Sequence, residues 1–180
     1  MTMAAPPAGL PSREFLMDIF QRVDKDRSGT ITANELQVAL SNGTWKPFNP
    51  ETIRLMIAMF DKQNTGKINF EDFGHLWKYV TDWQNCFRSF DRDQSGNIDK
   101  NEFTTALTTF GYRLSEGTID ILMKKFDHYG KGTILFDDFI QACVMLLNLT
   151  NAFRQLDTDQ DGTITIHYDQ FLNIVFSTKV

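Results

Sequence analysis

The chain has 180 residues, 42% of them hydrophobic and 16 of them phenylalanine, enough apolar surface to bury one large or two small helical cores. Its 18 basic and 23 acidic side chains leave a net charge of −5 with no basic block, which argues against nucleic acid as the main partner. Cys86 and Cys143 lie in apolar helical patterns without C-x-x-C spacing and read as reduced thiols.

The opening MTMAAPPAGLPS has no basic-then-apolar leader and no glycine after the methionine, which N-myristoylation requires. No apolar run approaches the ~20 residues that span a bilayer. A soluble intracellular protein is therefore expected, with a flexible Pro/Ala/Gly tail over residues 1–11 and one domain over 12–180.

Along that domain one layout recurs five times: DKDRSGTITANE from Asp24, DKQNTGKINFED from Asp61, DRDQSGNIDKNE from Asp91, DHYGKGTILFDD from Asp127 and DTDQDGTITIHY from Asp157. Each copy has Gly at position 6 and Ile at position 8, and apolar residues stand one and four places ahead of it. Such spacing marks a helix running into a loop. The template D-x-[DN]-x-[DN]-G-x5-E is the EF-hand calcium loop. Alternate positions 1, 3 and 5 present side-chain oxygens, Gly turns the chain, position 7 gives a carbonyl and Glu at 12 closes the cage with two oxygens. Ile at position 8 is expected to supply a short strand that pairs with a neighbouring hand.

Loop 1 (24–35) offers Asp24, Asp26, Ser28, the Thr30 carbonyl, Thr32 and Glu35, a complete set for Ca²⁺. Loop 2 (61–72) has Asp61 but then Gln63, Thr65 and the shorter Asp72, which favours Mg²⁺ or nothing. Loop 3 (91–102) is complete, with Asp91, Asp93, Ser95, the Asn97 carbonyl, Asp99 and Glu102, and is expected to bind at least as tightly as loop 1. Loop 4 (127–138) has Tyr129, Lys131 and Leu135 at ligand positions and is expected to be structural.

Loop 5 opens with Asp157, Asp159, Asp161 and the Thr163 carbonyl but has Tyr168 at position 12. In loops 2, 3 and 4 an aromatic follows position 12, namely Phe73, Phe103 and Phe139, and here the matching aromatic is Phe171. Loop 5 therefore reads as 157–170 with a two-residue insertion and Gln170 in the closing place. It is expected to take Mg²⁺, or Ca²⁺ weakly.

Loop starts are separated by 37, 30, 36 and 30 residues. The longer intervals hold two helices and a linker, with Gly43 ending one helix and Asn49-Pro50 starting the next. The shorter intervals leave room for one helix shared by two hands, over 73–90 and 139–156. An all-α fold follows, with hands 1/2 and 3/4 paired and hand 5 left over. A second copy's fifth hand would cover it, giving a homodimer through residues 157–180.

The stretches FQRVDKDRSG, ALSNGTWKPFNP, WKYVTDWQNCFRSFDRDQSG, FGYRLS, FDDFIQ and DTDQDG, with five hands at this spacing, resemble the penta-EF-hand family, and within it the apoptosis-linked branch. That resemblance implies a Ca²⁺-dependent adaptor that dimerises by its fifth hands. It also implies recognition of Pro-rich segments of an ESCRT-associated adaptor, a COPII coat subunit and annexins. The implied location is cytoplasmic, extending to the nucleus and, through partners, to ER or endosomal membranes.

Pro-rich ligands dock in aromatic-lined grooves. Trp77, Val80, Trp83, Phe110 and Tyr112 either line such a groove or pack in the core, and Arg113 either gates it or is a solvated charge. A calpain-type protease regulatory subunit and a simple Ca²⁺ buffer are the alternatives. Catalysis is not expected, since His75, His128 and His167 stand isolated from any nucleophile–base pattern.

Overall fold

The computed structural model describes residues 11–40 and 47–177. In the first lobe α1 (Arg13–Val23), β1 (Thr30–Ile31) and α2 (Ala33–Ala39) form hand 1. Hand 2 is α3 (Pro50–Phe60), β2 (Ile68–Asn69) and the start of α4 (Phe70–Phe90). Hands 3 and 4 use the rest of α4, β3 (Ile98–Asp99), α5 (Lys100–Thr109), α6 (Glu116–Phe126), β4 (Thr133–Ile134) and α7 (Phe136–Leu156); α8 (Tyr168–Ser177) leaves the fifth loop. The tail over 1–10 and the helix end expected at Gly43 lie outside the described residues.

Local chemistry sets the helix ends. Asn49 caps α3, its side chain accepting from the Glu51 amide, and Pro50 takes the first turn as the sequence predicts. At the far end of α5, Gly111 adopts φ 93°, the Tyr112 amide donates to the Leu107 carbonyl at 2.8 Å and the Gly111 amide to the Thr108 carbonyl at 3.0 Å. This is a Schellman closure, which needs a left-handed residue where Gly111 stands.

The shared helices are 21 residues each and start three residues earlier than expected, at Phe70 and Phe136. Position 9 of a loop is already the N-cap of the exiting helix, so position 12 lies inside its first turn. Asn69, for example, accepts from the Asp72 amide at 2.9 Å.

The strands pair as the repeat implies. β1 runs antiparallel to β2 with Ile31 opposite Ile68, and β3 to β4 with Ile98 opposite Ile134. All four isoleucines are fully buried. Among the described residues Ile164 has no such partner, and residues 163–167 form no strand.

α4 crosses from one lobe to the other, burying Phe73, Leu76 and Val80 in the first and Trp83 and Phe87 toward the second. Phe87 meets Phe136 and Phe139 edge-on, each at 5.5 Å between ring centres. Cys86 and Cys143 are free thiols, and burial pushes Cys86 up to about 11 and Cys143 well above the usual range, which makes both poor nucleophiles.

A polar junction also ties the lobes. The Asn49 amide donates to Asp137 Oδ2 at 2.6 Å, and Asn49 Nδ2 donates to Asp138 Oδ1 at 2.7 Å and Gln141 Oε1 at 3.1 Å. Beside it, Phe48 packs edge-on to Phe136 at 6.0 Å. Asn49→Ala removes the side-chain donor from the buried Asp138 and the cap of α3. It is expected to lower stability by about 2–3 kcal/mol, the scale of one orphaned buried acceptor plus one lost cap. Chemical denaturation of metal-free protein checks this, and an unchanged midpoint would refute it.

Candidate metal centres

Loop 1 is built from the end of α1 to the first turn of α2. Buried Asp24 accepts the Ser28 amide at 3.0 Å through Oδ1 and the Gly29 amide at 2.9 Å through Oδ2, pulling the loop into a ring. Gly29 turns the chain at φ 79°, and Arg27 ahead of it is also left-handed at φ 55°. Glu35 folds back over the ring: Oε1 accepts the Lys25 amide at 2.9 Å, and Oε2 accepts the Thr32 amide at 2.9 Å and hydroxyl at 2.7 Å. The ligating atoms of Asp24, Asp26 and Glu35 lie within 4.8 Å of one another.

Loop 3 repeats this nearly atom for atom. Asp91 accepts the Ser95 and Gly96 amides at 2.9 and 3.0 Å, and Glu102 accepts the Arg92 and Asp99 amides at 2.8 and 3.0 Å. Asp91, Asp93 and Glu102 again converge within 4.8 Å. The Ser28 and Ser95 hydroxyls sit 3.0 and 3.1 Å from the Thr30 and Asn97 carbonyls, so the side-chain and backbone oxygens expected at positions 5 and 7 face one ring.

Hydrogen bonds from the Thr32 amide and hydroxyl hold Glu35 below the usual carboxylate range, those from Ser28 lower Asp26, and those from Ser95 lower Asp93. For Glu35 the resulting stabilisation is present above pH 4.5 and is lost as the pH falls through the lowered value. Three carboxylates held this close, with hydroxyl and carbonyl oxygens beside them, fit a hard divalent cation such as Ca²⁺ and not a soft one.

Loops 2 and 4 close differently. Asp72 and Asp138 hold position 12 and are one methylene too short to meet the position-2 amide. The position-2 side chain comes to the carboxylate instead, with Lys62 Nζ 3.4 Å from Asp72 Oδ1 and His128 Nδ1 3.0 Å from Asp138 Oδ2. Each buried aspartate thus carries a tethered basic group where loops 1 and 3 hold their closing glutamate. The sequence reading singled out Lys131, whose amide donates to Asp127 Oδ1 at 3.0 Å while the residue is exposed; it missed Lys62 and His128. Lys25 and Arg92 stand at position 2 of loops 1 and 3, so a basic residue there is no signal alone. Aspartate at position 12 was the informative one.

In loop 5, Asp157 accepts the Asp161 and Gly162 amides, each at 3.2 Å, and Asp157, Asp159 and Asp161 converge within 4.8 Å. The Thr163 amide donates to Asp161 Oδ1 at 2.7 Å. The exit differs. The His167 amide donates to Gln170 Oε1 at 2.9 Å and the Phe171 amide to the His167 carbonyl at 3.0 Å. In loop 1 the same two bonds run from the Thr32 amide to Glu35 and from the Leu36 amide to the Thr32 carbonyl. Gln170 thus takes the helix position of Glu35, with the helix starting two residues later.

This architecture has relatives. The EF-hand domain pair family matches residues 13–78 and 80–144, and the EF hand family matches 150–167. A sorcin from Schistosoma japonicum is 51% identical over 165 residues, covering 92% of this chain and 96% of that one. A human sorcin is 43% identical over 84% of this chain and 77% of its own. A peflin from Xenopus laevis is 41% identical over 86% of this chain but 55% of its own length. A solved homolog of programmed cell death 6 protein from Leishmania major superposes with a TM-score of 0.80 at 34% identity, covering 91% of this chain and 93% of that one.

The chain belongs to the penta-EF-hand family. It is a calcium-binding protein of the sorcin, peflin and programmed cell death 6 type.

The structure divides the six residues read as peptide-binding. Trp77 and Val80 line an apolar groove of about 130 Å³ between α1, α2 and α4, with Ile19, Val23, Leu36 and Leu40 facing them. Trp83 is buried away from it, edge-on to Phe110 at 6.4 Å and Phe139 at 5.9 Å. Phe110 also packs edge-on to Phe90 at 5.6 Å, Tyr112 is half-buried and Arg113 is exposed. Ile19 and Val23 were missed, although their helical spacing with Phe15 marks one face of α1.

Proposed function

We propose that this penta-EF-hand protein is a calcium sensor and adaptor in which loop 1, and loop 3 through the second lobe, control a groove for Pro-rich segments of partner proteins. One observation carries the reading: two of the groove's walls are α1 and α2, the helices that enter and leave loop 1. An ion drawing Asp24 and Glu35 together changes the angle between those helices, and with it the width of the groove. A buffer has no use for an apolar groove hung on its calcium loop. Phe15, exposed and edge-on to Trp77 at 6.3 Å, extends the aromatic surface a Pro-rich ligand needs.

The residues that hold Ca²⁺ in this reading are Asp24, Asp26, Ser28, Thr30 and Glu35 in loop 1, and Asp91, Asp93, Ser95, Asn97 and Glu102 in loop 3. Asp157, Asp159, Asp161 and Thr163 hold Mg²⁺ or weak Ca²⁺ in loop 5. The chain acts by binding and not by catalysis, as a homodimer through its fifth hands. Its partners are proteins of the ESCRT-associated, COPII and annexin types in the cytoplasm and at ER or endosomal membranes.

A Pro-Xaa-Pro-Gly-Phe peptide titrated into the protein is expected to bind with Ca²⁺ present and not with Mg²⁺ alone, moving Trp77 fluorescence in a Trp45→Phe, Trp83→Phe background. Equal binding in Ca²⁺ and chelator would overturn the sensor reading, and no binding in either would overturn the adaptor reading.

A further inference from the structure

We propose that the chain carries its own ligand for the α1–α2–α4 groove: residues 1–10, MTMAAPPAGL, occupy it in cis and compete with partner segments. The inference rests on the groove being a Pro-rich binding site, as proposed above, and adds what fills it when no partner is bound.

Chemical match comes first. The groove is walled by Ile19, Val23, Leu36, Leu40, Trp77 and Val80, with no charged side chain among its lining residues. Residues 1–10 contain no charged side chain, a single hydroxyl at Thr2, and the pair Pro6-Pro7 followed by Gly9 and Leu10. Such a segment enters an apolar site without desolvating a side-chain charge, and its prolines limit the entropy lost on docking. The segment that follows Leu40 in sequence, SNGTWK, is a poorer chemical match, since it carries Lys46 together with Ser41, Asn42 and Thr44.

Reach comes second. The segment joins the described chain at Pro11 and Ser12, the cap of α1. Ile19 lies seven residues along that helix, about 10 Å at the usual rise. Ten residues in an extended polyproline conformation span about 31 Å, so the segment can double back at Gly9 and still cover the groove.

A track comes third. Phe15, Ile19 and Val23 repeat every fourth residue and form one stripe of α1. Phe15, at the end where the segment attaches, is 49% exposed yet edge-on to Trp77 of the groove wall. A large aromatic left half open between the attachment point and the groove is what a segment returning along α1 would cover. Tethering gives it an effective concentration in the millimolar range, so only partners that compete at that level displace it.

The test uses the full chain with Ca²⁺, comparing wild type with the variant Pro6→Asp, Pro7→Asp, Leu10→Asp. The readouts are the Trp77 indole N–H resonance and the affinity for a Pro-Xaa-Pro-Gly-Phe peptide, with buried Trp83 as internal control. The expected result is a displaced Trp77 resonance, an unmoved Trp83 resonance, and peptide affinity raised about tenfold, the penalty lifted when a site ~90% occupied is freed. Identical Trp77 resonances in the two proteins overturn the proposal. So does a Trp77 resonance that moves with Trp45→Ala but not with the tail variant, because segment 41–46 is then the occupant. Restoration of the wild-type resonance in labelled variant mixed with unlabelled wild type also overturns it, because a second copy then supplies the segment. If the peptide binds neither protein while Trp77 still responds to the tail, partner recognition fails and the intramolecular contact stands.

Discussion

Glu35→Gln combined with Glu102→Gln is expected to lower Ca²⁺ affinity at loops 1 and 3 by at least about 100-fold, near 2.7 kcal/mol per site. Glutamine keeps the carbonyl oxygen that the Thr32 and Asp99 amides use, so the capping boxes at the starts of α2 and α5 persist and the fold is retained. What disappears is one anionic charge and the second closing oxygen, the part of the cage that an aspartate or a neutral side chain does not replace. Isothermal titration of the double variant, with circular dichroism to establish that it is folded, reads the effect directly. Retained micromolar binding would mean that position 12 is not the closing ligand. Ca²⁺-dependent peptide binding should vanish with it while the oligomeric state stays the same, because the fifth hand uses neither glutamate.

The second large effect is on assembly. Tyr168, Phe171 and Val175 form a helical stripe on α8, with Phe176 beside it at 81% exposure and Tyr168 at 76%. The stripe lies next to a loop whose Ile164 has no strand partner, and aromatic side chains in that number are rarely left to water. Phe171→Asp with Phe176→Asp is expected to convert the proposed homodimer, twice 20.7 kDa, into a monomer at micromolar concentration, because two carboxylates would have to be desolvated in the interface. Sedimentation equilibrium checks both proteins. A monomeric wild type would overturn the homodimer, and a variant that remains dimeric would place the contact elsewhere.

Much of the fold could be read from sequence because its signals are local. Loop starts, the strand isoleucines and the Asn49-Pro50 cap each follow from a few adjacent residues, and the pairing of hands follows from intervals of 30 against 36 or 37 residues. The shared helices were placed three residues late because a ligand position and a capping position coincide at position 9, and the ligand role masked the cap. The junction of Asn49 with Asp137 and Asp138 joins residues 88 and 89 apart, a separation that leaves no periodic trace.

The groove was half visible. Trp77 and Val80 are three apart and share a face of α4, whereas Trp83 is six from Trp77 and about 120° around the helix, which turns it into the second lobe. Aromatic content alone did not separate them; helical phase does. The closing side chains of loops 2 and 4 escaped because chain length decides them, and a one-methylene difference matters only once the ring has a known diameter.

The fourth residue of every loop is left-handed: Arg27, Asn64, Gln94, Gly130 and Gln160, at φ 55°, 53°, 57°, 62° and 59°. Asn and Gly, which hold that conformation cheaply, stand in the two loops that close on their own Lys62 or His128. Arg and Gln, which hold it at a cost of about 1 kcal/mol each, stand in the three where carboxylates converge. Withdrawing divalent ions therefore leaves loops 1, 3 and 5 under backbone strain as well as charge repulsion, while loops 2 and 4 stay clasped.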